Sequence, residues 1–241
     1  MISLKVFVDF DGTITKEDVG NAFFRKYAGR DRYDAILVEY KAGRISAQEC
    51  FRRGIEAMGQ IDRKEAAAFV RYQQVDHTFK DFTAFCHERN IDLCVVSDGL
   101  DFYIHEIFAE QGIVHAATFS NSLEFDERSA NGLRINFPYA DVECTRCACC
   151  KRNIMLTHAG EDNIIVYVGE GYSDRCPAQY ADIVFAKDTL QTFCQEENIS
   201  YFLYQSFRDV QERLSALLDK KRLRKCRTAE LKRKKLFMRE P

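Results

Sequence analysis

Residues 2–10 form a short run of apolar and β-branched positions that closes on Asp9-Phe10-Asp11-Gly12-Thr13. So brief an apolar stretch, broken by glycine, predicts a strand buried on both faces, as in a parallel sheet. Beyond it the period changes. Val19, Ala22, Phe23 and Tyr27 recur at helical spacing, and Ser46 with Glu49 three positions on has the form of a capping box ahead of Cys50, Phe51, Ile55 and Met58. A third helical stretch covers 66–72, and no segment of 18–90 reads as a strand. Residues 91–97 are apolar again and end at Ser97-Asp98-Gly99; a helix over about 100–111 stops at Gly112, and 113–119 suit a further strand. Residues 123–126 and 133–137 alternate polar with apolar around Ser129-Ala130-Asn131-Gly132, which predicts a β-hairpin. A helix over 151–159, a strand over 164–168, a helix over 174–181, a strand over 182–186 and helices over 188–197 and from 207 complete the order.

Strands alternating with helices predict an α/β protein with a Rossmann-like doubly wound parallel sheet. The pattern divides the chain into a catalytic core over 1–15 and 76–219, an inserted helical cap over 16–75, and a tail over 220–241. Charge sharpens the last boundary. The tail carries eleven Lys or Arg against two Glu, so an acidic body precedes a basic end although the net charge is only −2. Most such basic runs are solvated, and nucleic-acid binding is the lesser reading. No apolar run approaches the roughly 18 residues that span a bilayer. Residues 1–8 lack the basic start and small-residue cleavage site of a signal peptide, so a cytoplasmic protein is expected.

Three of the apolar runs end in polar clusters: Asp9 with Asp11, Ser97 with Asp98, and Glu170 with Asp174. In an open parallel sheet, ligands sit beyond the carboxyl ends of the strands, so three distant segments are expected to converge there. The residues themselves carry a resemblance. Val6-Phe7-Val8-Asp9-Phe10-Asp11-Gly12-Thr13 resembles the first motif of the haloacid dehalogenase phosphatases, Val95-Val96-Ser97-Asp98-Gly99 the second, Lys151 the third-motif lysine, and Gly169-Glu170-Gly171-Tyr172-Ser173-Asp174 the acidic fourth. Any one of these is weak; four in order, each on its predicted strand end or helix start, are specific.

The resemblance implies a Mg²⁺-dependent phosphatase acting on a small phosphorylated metabolite. Asp9 would attack phosphorus, and Asp11 would protonate the leaving oxygen and then activate water. Lys151 and Ser97 would hold the phosphoryl oxygens, with Asp98 and Gly99 beside them on the substrate. The metal would be held by Asp9, Asp11 (through its carbonyl), Glu170 and Asp174, the last from behind. Glu170 departs from the family's usual Asp by one methylene, which puts the ligand's reach in question. Within the superfamily the chain is similar to the phosphoserine phosphatase branch. There, the cysteine-rich loop before Lys151, the Ser-Asp-Gly-Leu-Asp-Phe-Tyr run and residues 183–188 resemble the phosphatases of methionine salvage, whose substrate is 2-hydroxy-3-keto-5-methylthiopentenyl-1-phosphate. Phosphoserine is the rival substrate; a regulatory or nucleic-acid-binding protein using the basic tail is the rival class.

Ten cysteines in a chain without an export signal argue against a disulfide framework. Cys144, Cys147, Cys149 and Cys150 crowd together with one C-x2-C spacing, which zinc sites favour, but a second pair at normal distance is lacking. Loop packing or redox chemistry is the plainer reading. Arg53 in the cap is a candidate for the substrate, as a cap arginine binds carboxylate in the phosphoserine branch; an exposed helix arginine is the alternative.

Overall fold

The computed structural model describes residues 3–219 and 223–238. Seven strands form one sheet: β1 (Ser3–Val8), β2 (Asp92–Leu100), β3 (Ala117–Phe125), β4 (Leu133–Asn136), β5 (Asn163–Gly169), β6 (Ile183–Ala186) and β7 (Phe202–Leu203). Their order is β4-β3-β2-β1-β5-β6-β7, and every pairing but β3 with β4 is parallel. Strand β1 therefore lies at the centre, where the chain leaves first toward β2 and later toward β5. Val6, Phe7 and Val8 have no exposed surface. Val6 and Val8 point into a large core, while Phe7 points into a smaller one on the opposite face. A strand so placed has no polar face, which is why its sequence shows no alternation.

Helices cover both faces. On the larger side lie α5 (Phe79–Glu88), α6 (Asp101–Gln111) and α10 (Phe207–Asp219), through Phe79, Phe82, Ile104, Ile107, Phe207 and Val210. On the other side α7 (Lys151–His158), the short α8 (Arg175–Ala178) and α9 (Asp188–Glu196) bury Ile154, Met155, Ala178, Leu190 and Cys194. Between β1 and α5 come α1 (Val19–Ala28), α2 (Arg30–Lys41), α3 (Ala47–Glu56) and α4 (Arg63–Arg71). An antiparallel bridge between Thr15 and Val75, with the Lys16 amide donating to the Gln74 carbonyl at 2.9 Å, closes the neck of this insertion. The insertion packs through Phe23 on Phe102 and Tyr103 of α6.

The start of α3 follows its capping signal, the Ser46 hydroxyl accepting from the Glu49 amide at 3.1 Å. Three elements differ from the pattern. Helix α2 gives no amphipathic signal because only Tyr33 of it is buried; it is joined to α1 by Gly29 at φ 86°, a left-handed turn that favours glycine. The strand expected over 113–119 and the first arm of the hairpin are one strand, β3. Its inner half pairs with β2 and its outer half with β4, so the two halves meet different neighbours and carry different patterns. The tail, expected to be solvated, folds back over 223–238. There α11 (Arg227–Phe237) begins after the Cys226 amide donates to Asp182, and Arg233 pairs with the same buried carboxylate at 2.9 Å. Residues 220–222 and 239–241 of that tail lie outside the described residues. Among the described residues no helix is long and apolar enough to cross a membrane.

Candidate active site

Strands β1, β2 and β5 come level at Val8, the last residue of β1, which pairs with Val95 on one side and Val168 on the other. Asp9 follows directly, its amide donating to the Val168 carbonyl at 2.9 Å. Ser97 lies two residues past Val95 and Glu170 two past Val168. This edge is where the strand order reverses, the usual place for a ligand in such a sheet.

Lys151, the first residue of α7, reaches the same point and is 1% exposed. Its Nζ donates to Asp9 Oδ1 at 2.5 Å, Asp174 Oδ1 at 2.7 Å and Ser173 Oγ at 2.9 Å. An ammonium this deep persists only with its charge matched and its three donors used. Burial alone would pull its pKa down; Asp174 and then Asp9 outweigh burial and hold it above the ordinary lysine value. For Asp9, burial and Asp174 push upward while Lys151 opposes them. The other Asp9 oxygen, Oδ2, has only the Thr13 hydroxyl at 3.4 Å.

Asp174 lies behind Lys151. Its Oδ1 also accepts from the Tyr167 hydroxyl at 2.6 Å, and its Oδ2 accepts from the amides of Glu170 and Gly171 at 2.9 and 2.8 Å. With four donors on it, Asp174 has no lone pair to spare for a cation; it braces Lys151, which in turn holds its carboxyl below the usual range despite burial.

Asp11 turns away from Asp9 toward the cap. Its Oδ1 accepts from the amides of Val19 and Gly20 at 2.8 and 3.2 Å, the first turn of α1. Its Oδ2 accepts from the Tyr103 hydroxyl at 2.8 Å. Burial, then Asp18, raise its carboxyl to about 7. Gly99 is where Tyr103 and Asp11 meet: a Cβ there would stand 1.8 Å from the Tyr103 hydroxyl and 2.7 Å from Asp11 Oδ2. Expected beside the substrate, Gly99 instead leaves room for that pair. Ser97 is fully buried, and its Oγ accepts from the Gly99 amide at 2.9 Å.

Asp98 faces the loop before Lys151. Its Oδ1 accepts from the amides of Ala148 and Cys149, both at 2.7 Å. Those bonds clamp the cysteine-rich loop one turn before Lys151, so this oxygen positions the lysine's loop. In that loop the Cys144 and Cys147 sulfurs are 4.0 Å apart, and the Cys147 contact draws the Cys150 thiol down to about 7. The guanidinium of Arg53 is held by Glu49 and Glu39, each at 2.8 Å, and makes none of its hydrogen bonds to the residues around Lys151.

The oxygen donors suit a hard cation. The Glu170 carboxylate lies over Gly12, its Oε1 2.9 Å from where a Cβ of that residue would stand, so the longer side chain reaches the Asp9–Gly12 turn. Burial, Asp174 and Asp188 raise it to about 7 against the opposing charges of Lys187 and Lys151. Among the described residues no three His, Cys, Asp or Glu side chains form a ready-made cage. Two carboxylates and a backbone carbonyl, completed by water and substrate oxygens, fit Mg²⁺, which usually takes few protein ligands.

Tyr103, Tyr167 and Ser173 also join these hydrogen-bond networks; Tyr103 ends the Ser97–Tyr103 run and Ser173 sits inside the fourth motif, but the resemblance assigned none of the three a role. Tyr167 did leave a trace: a tyrosine inside the apolar run of β5 must find a partner for its hydroxyl when buried.

A family model described as Putative Phosphatase matches residues 4–200. Among curated relatives, the chain is 32% identical over 218 residues to a 2-hydroxy-3-keto-5-methylthiopentenyl-1-phosphate phosphatase of Geobacillus kaustophilus, covering 89% of this chain and 96% of that one. A protein of the same name from Bacillus cereus is 29% identical over 228 residues, covering 91% and 100%. Among solved structures, a phospho-aspartyl intermediate analogue of phosphoserine phosphatase superposes with a TM-score of 0.68 at 16% identity, covering 88% of this chain and 99% of that one. At that identity the likeness concerns the fold.

Proposed function

The chain belongs to the Putative Phosphatase family, within the haloacid dehalogenase superfamily, and is a phosphoric monoester hydrolase; we propose that it cleaves 2-hydroxy-3-keto-5-methylthiopentenyl-1-phosphate through a phosphorylated Asp9. The substrate rests on the names of the relatives, which match nearly the whole chain. The chemistry rests on one observation, a buried lysine bound at once to Asp9 and Asp174 where three strands end.

Lys151 and Asp174 fix Asp9 through Oδ1, leaving Oδ2 the freer oxygen to attack phosphorus. Lys151 lies where negative charge gathers on the phosphoryl oxygens, in a dry pocket where such a charge acts strongly. Ser97 donates its hydroxyl to a phosphoryl oxygen while accepting from Gly99. Asp11, raised to about 7, delivers a proton to the departing alkoxide and later removes one from the water that opens the aspartyl phosphate. Asp9, Glu170 and the Asp11 carbonyl would hold Mg²⁺, which when bound offsets the repulsion between the ester and Asp9. We place this soluble reaction in the cytoplasm.

The test is a panel of phosphomonoesters that includes the thiopentenyl phosphate and phosphoserine. The expected result is Mg²⁺-dependent release of phosphate with the highest kcat/KM for the thiopentenyl ester, and a fall of about 10⁴-fold or more in Asp9→Asn. A higher value for phosphoserine overturns the substrate. Equal turnover by wild type and Asp9→Asn overturns the mechanism.

A further inference from the structure

Tyr103 is fully buried, yet the function proposed above gives its hydroxyl no part. That hydroxyl is threaded between two glycines. A Cβ on Gly99 would overlap it at 1.8 Å, and one on Gly20 would press it at 3.1 Å. Gly99 belongs to the second motif and Gly20 to the first turn of α1, so core and insertion both give way at one atom. What that atom touches is Asp11 Oδ2, at 2.8 Å.

The two oxygens of Asp11 are not equivalent. Oδ1 faces the amides of Val19 and Gly20, which only donate, so a proton resting there would cost it at least one of those bonds. A proton carried by Asp11 is therefore favoured on Oδ2, the oxygen against Tyr103. A phenol hydroxyl both donates and accepts, so it can partner Oδ2 whether that oxygen is bare or protonated. We infer that Tyr103 is a positioning residue for the leaving-group step, holding the proton-bearing oxygen of Asp11 in line with the departing alkoxide. The inference rests on the reading of Asp11 as the general acid.

A leaving group's own acidity separates this role from a structural one. An alkoxide departs only with a proton, whereas a dinitrophenolate departs without one. The parameter to compare is kcat/KM, which reports the steps up to phosphorylation of Asp9 and leaves out the later attack of water, common to both esters. In Tyr103→Phe the expected result is a fall of about 10- to 100-fold in kcat/KM for an alkyl phosphate, within the range of general acid catalysis. For 2,4-dinitrophenyl phosphate the same constant should stay within about twofold, since no proton is required there. Gly20→Ala, which keeps the hydroxyl but displaces it by a few tenths of an ångström and favours the helix, should show the same selective fall to a lesser degree. Equal losses on both esters, or no loss on either, overturn the role of Tyr103. The underlying reading is judged separately: an active Asp9→Asn, or an Asp11→Asn as fast on the alkyl ester as wild type, removes the premise itself.

Discussion

The strand-end cradle and the cap treat charge in opposite ways. Around Lys151 the charges are buried and each leans on the others: one ammonium, two carboxylates and a tyrosine hydroxyl, all of them buried. In the cap, Arg53 pairs with Glu39 and Glu49 while all three remain about two-fifths exposed. A buried ion whose partner is removed is stranded in a medium that cannot solvate it, whereas an exposed one returns to water. The cradle is therefore rigid and intolerant, and the cap is tolerant.

The sharpest way to break this contrast is Lys151→Met. It leaves Asp9 and Asp174 facing each other with no cation, and the expected outcome is loss of phosphatase activity together with about 3–5 kcal/mol of stability, read by denaturant unfolding. A folded variant of wild-type stability would mean that the cradle is not held by its charges.

The first-motif strand, the convergence of Asp9, Ser97 and Glu170, and the placing of Lys151 were all legible, because strand ends are fixed by local apolar runs and the sheet brings them level. What was hidden depends on which way a side chain turns. Asp98 is an acid beside an acidic site, and only the loop it faces shows what its carboxylate holds. Tyr103 meets Asp11 across 92 positions; Gly99, four residues before it, makes one side of the gap, but Gly20 on the other side is far away in the chain, so the run alone does not show what the gap admits. Helix α2 is hidden for a different reason: it fully buries only Tyr33, with Leu37 partly buried beside it, too few positions to show a period.

Asp11 stands between the two regions, since its partners come from α1 and from α6. Its carboxyl is raised from 3.8 to about 7, chiefly by burial. Folding therefore favours its protonated form. Between about pH 4 and 7 the native state holds a proton that the unfolded state releases, so this group's contribution to stability falls as pH rises through that window and is level above it. Asparagine has no such dependence. With metal removed by chelator, Asp11→Asn should match wild type near pH 4 and exceed it at pH 8 by on the order of 2–4 kcal/mol, an inactive but steadier protein. A stability difference that does not change with pH would show that Asp11 is not strained by burial.

Arg53 gives the smallest effect and the finest distinction. Its pairs with Glu39 and Glu49 are half exposed, so Arg53→Ala should leave the melting temperature essentially where it was. The catalytic constants carry the information. Helix α3 does lie against the cysteine-rich loop before Lys151, for the Ala47 amide at its start donates to the Thr145 carbonyl at 3.0 Å. With its guanidinium already held by two glutamates, Arg53 is expected to contribute little to binding, and KM for the thiopentenyl phosphate should stay within about threefold of wild type. A rise of about tenfold or more in KM at unchanged kcat would mean that substrate displaces the glutamates, and would move the boundary between the two regions one helix into the cap.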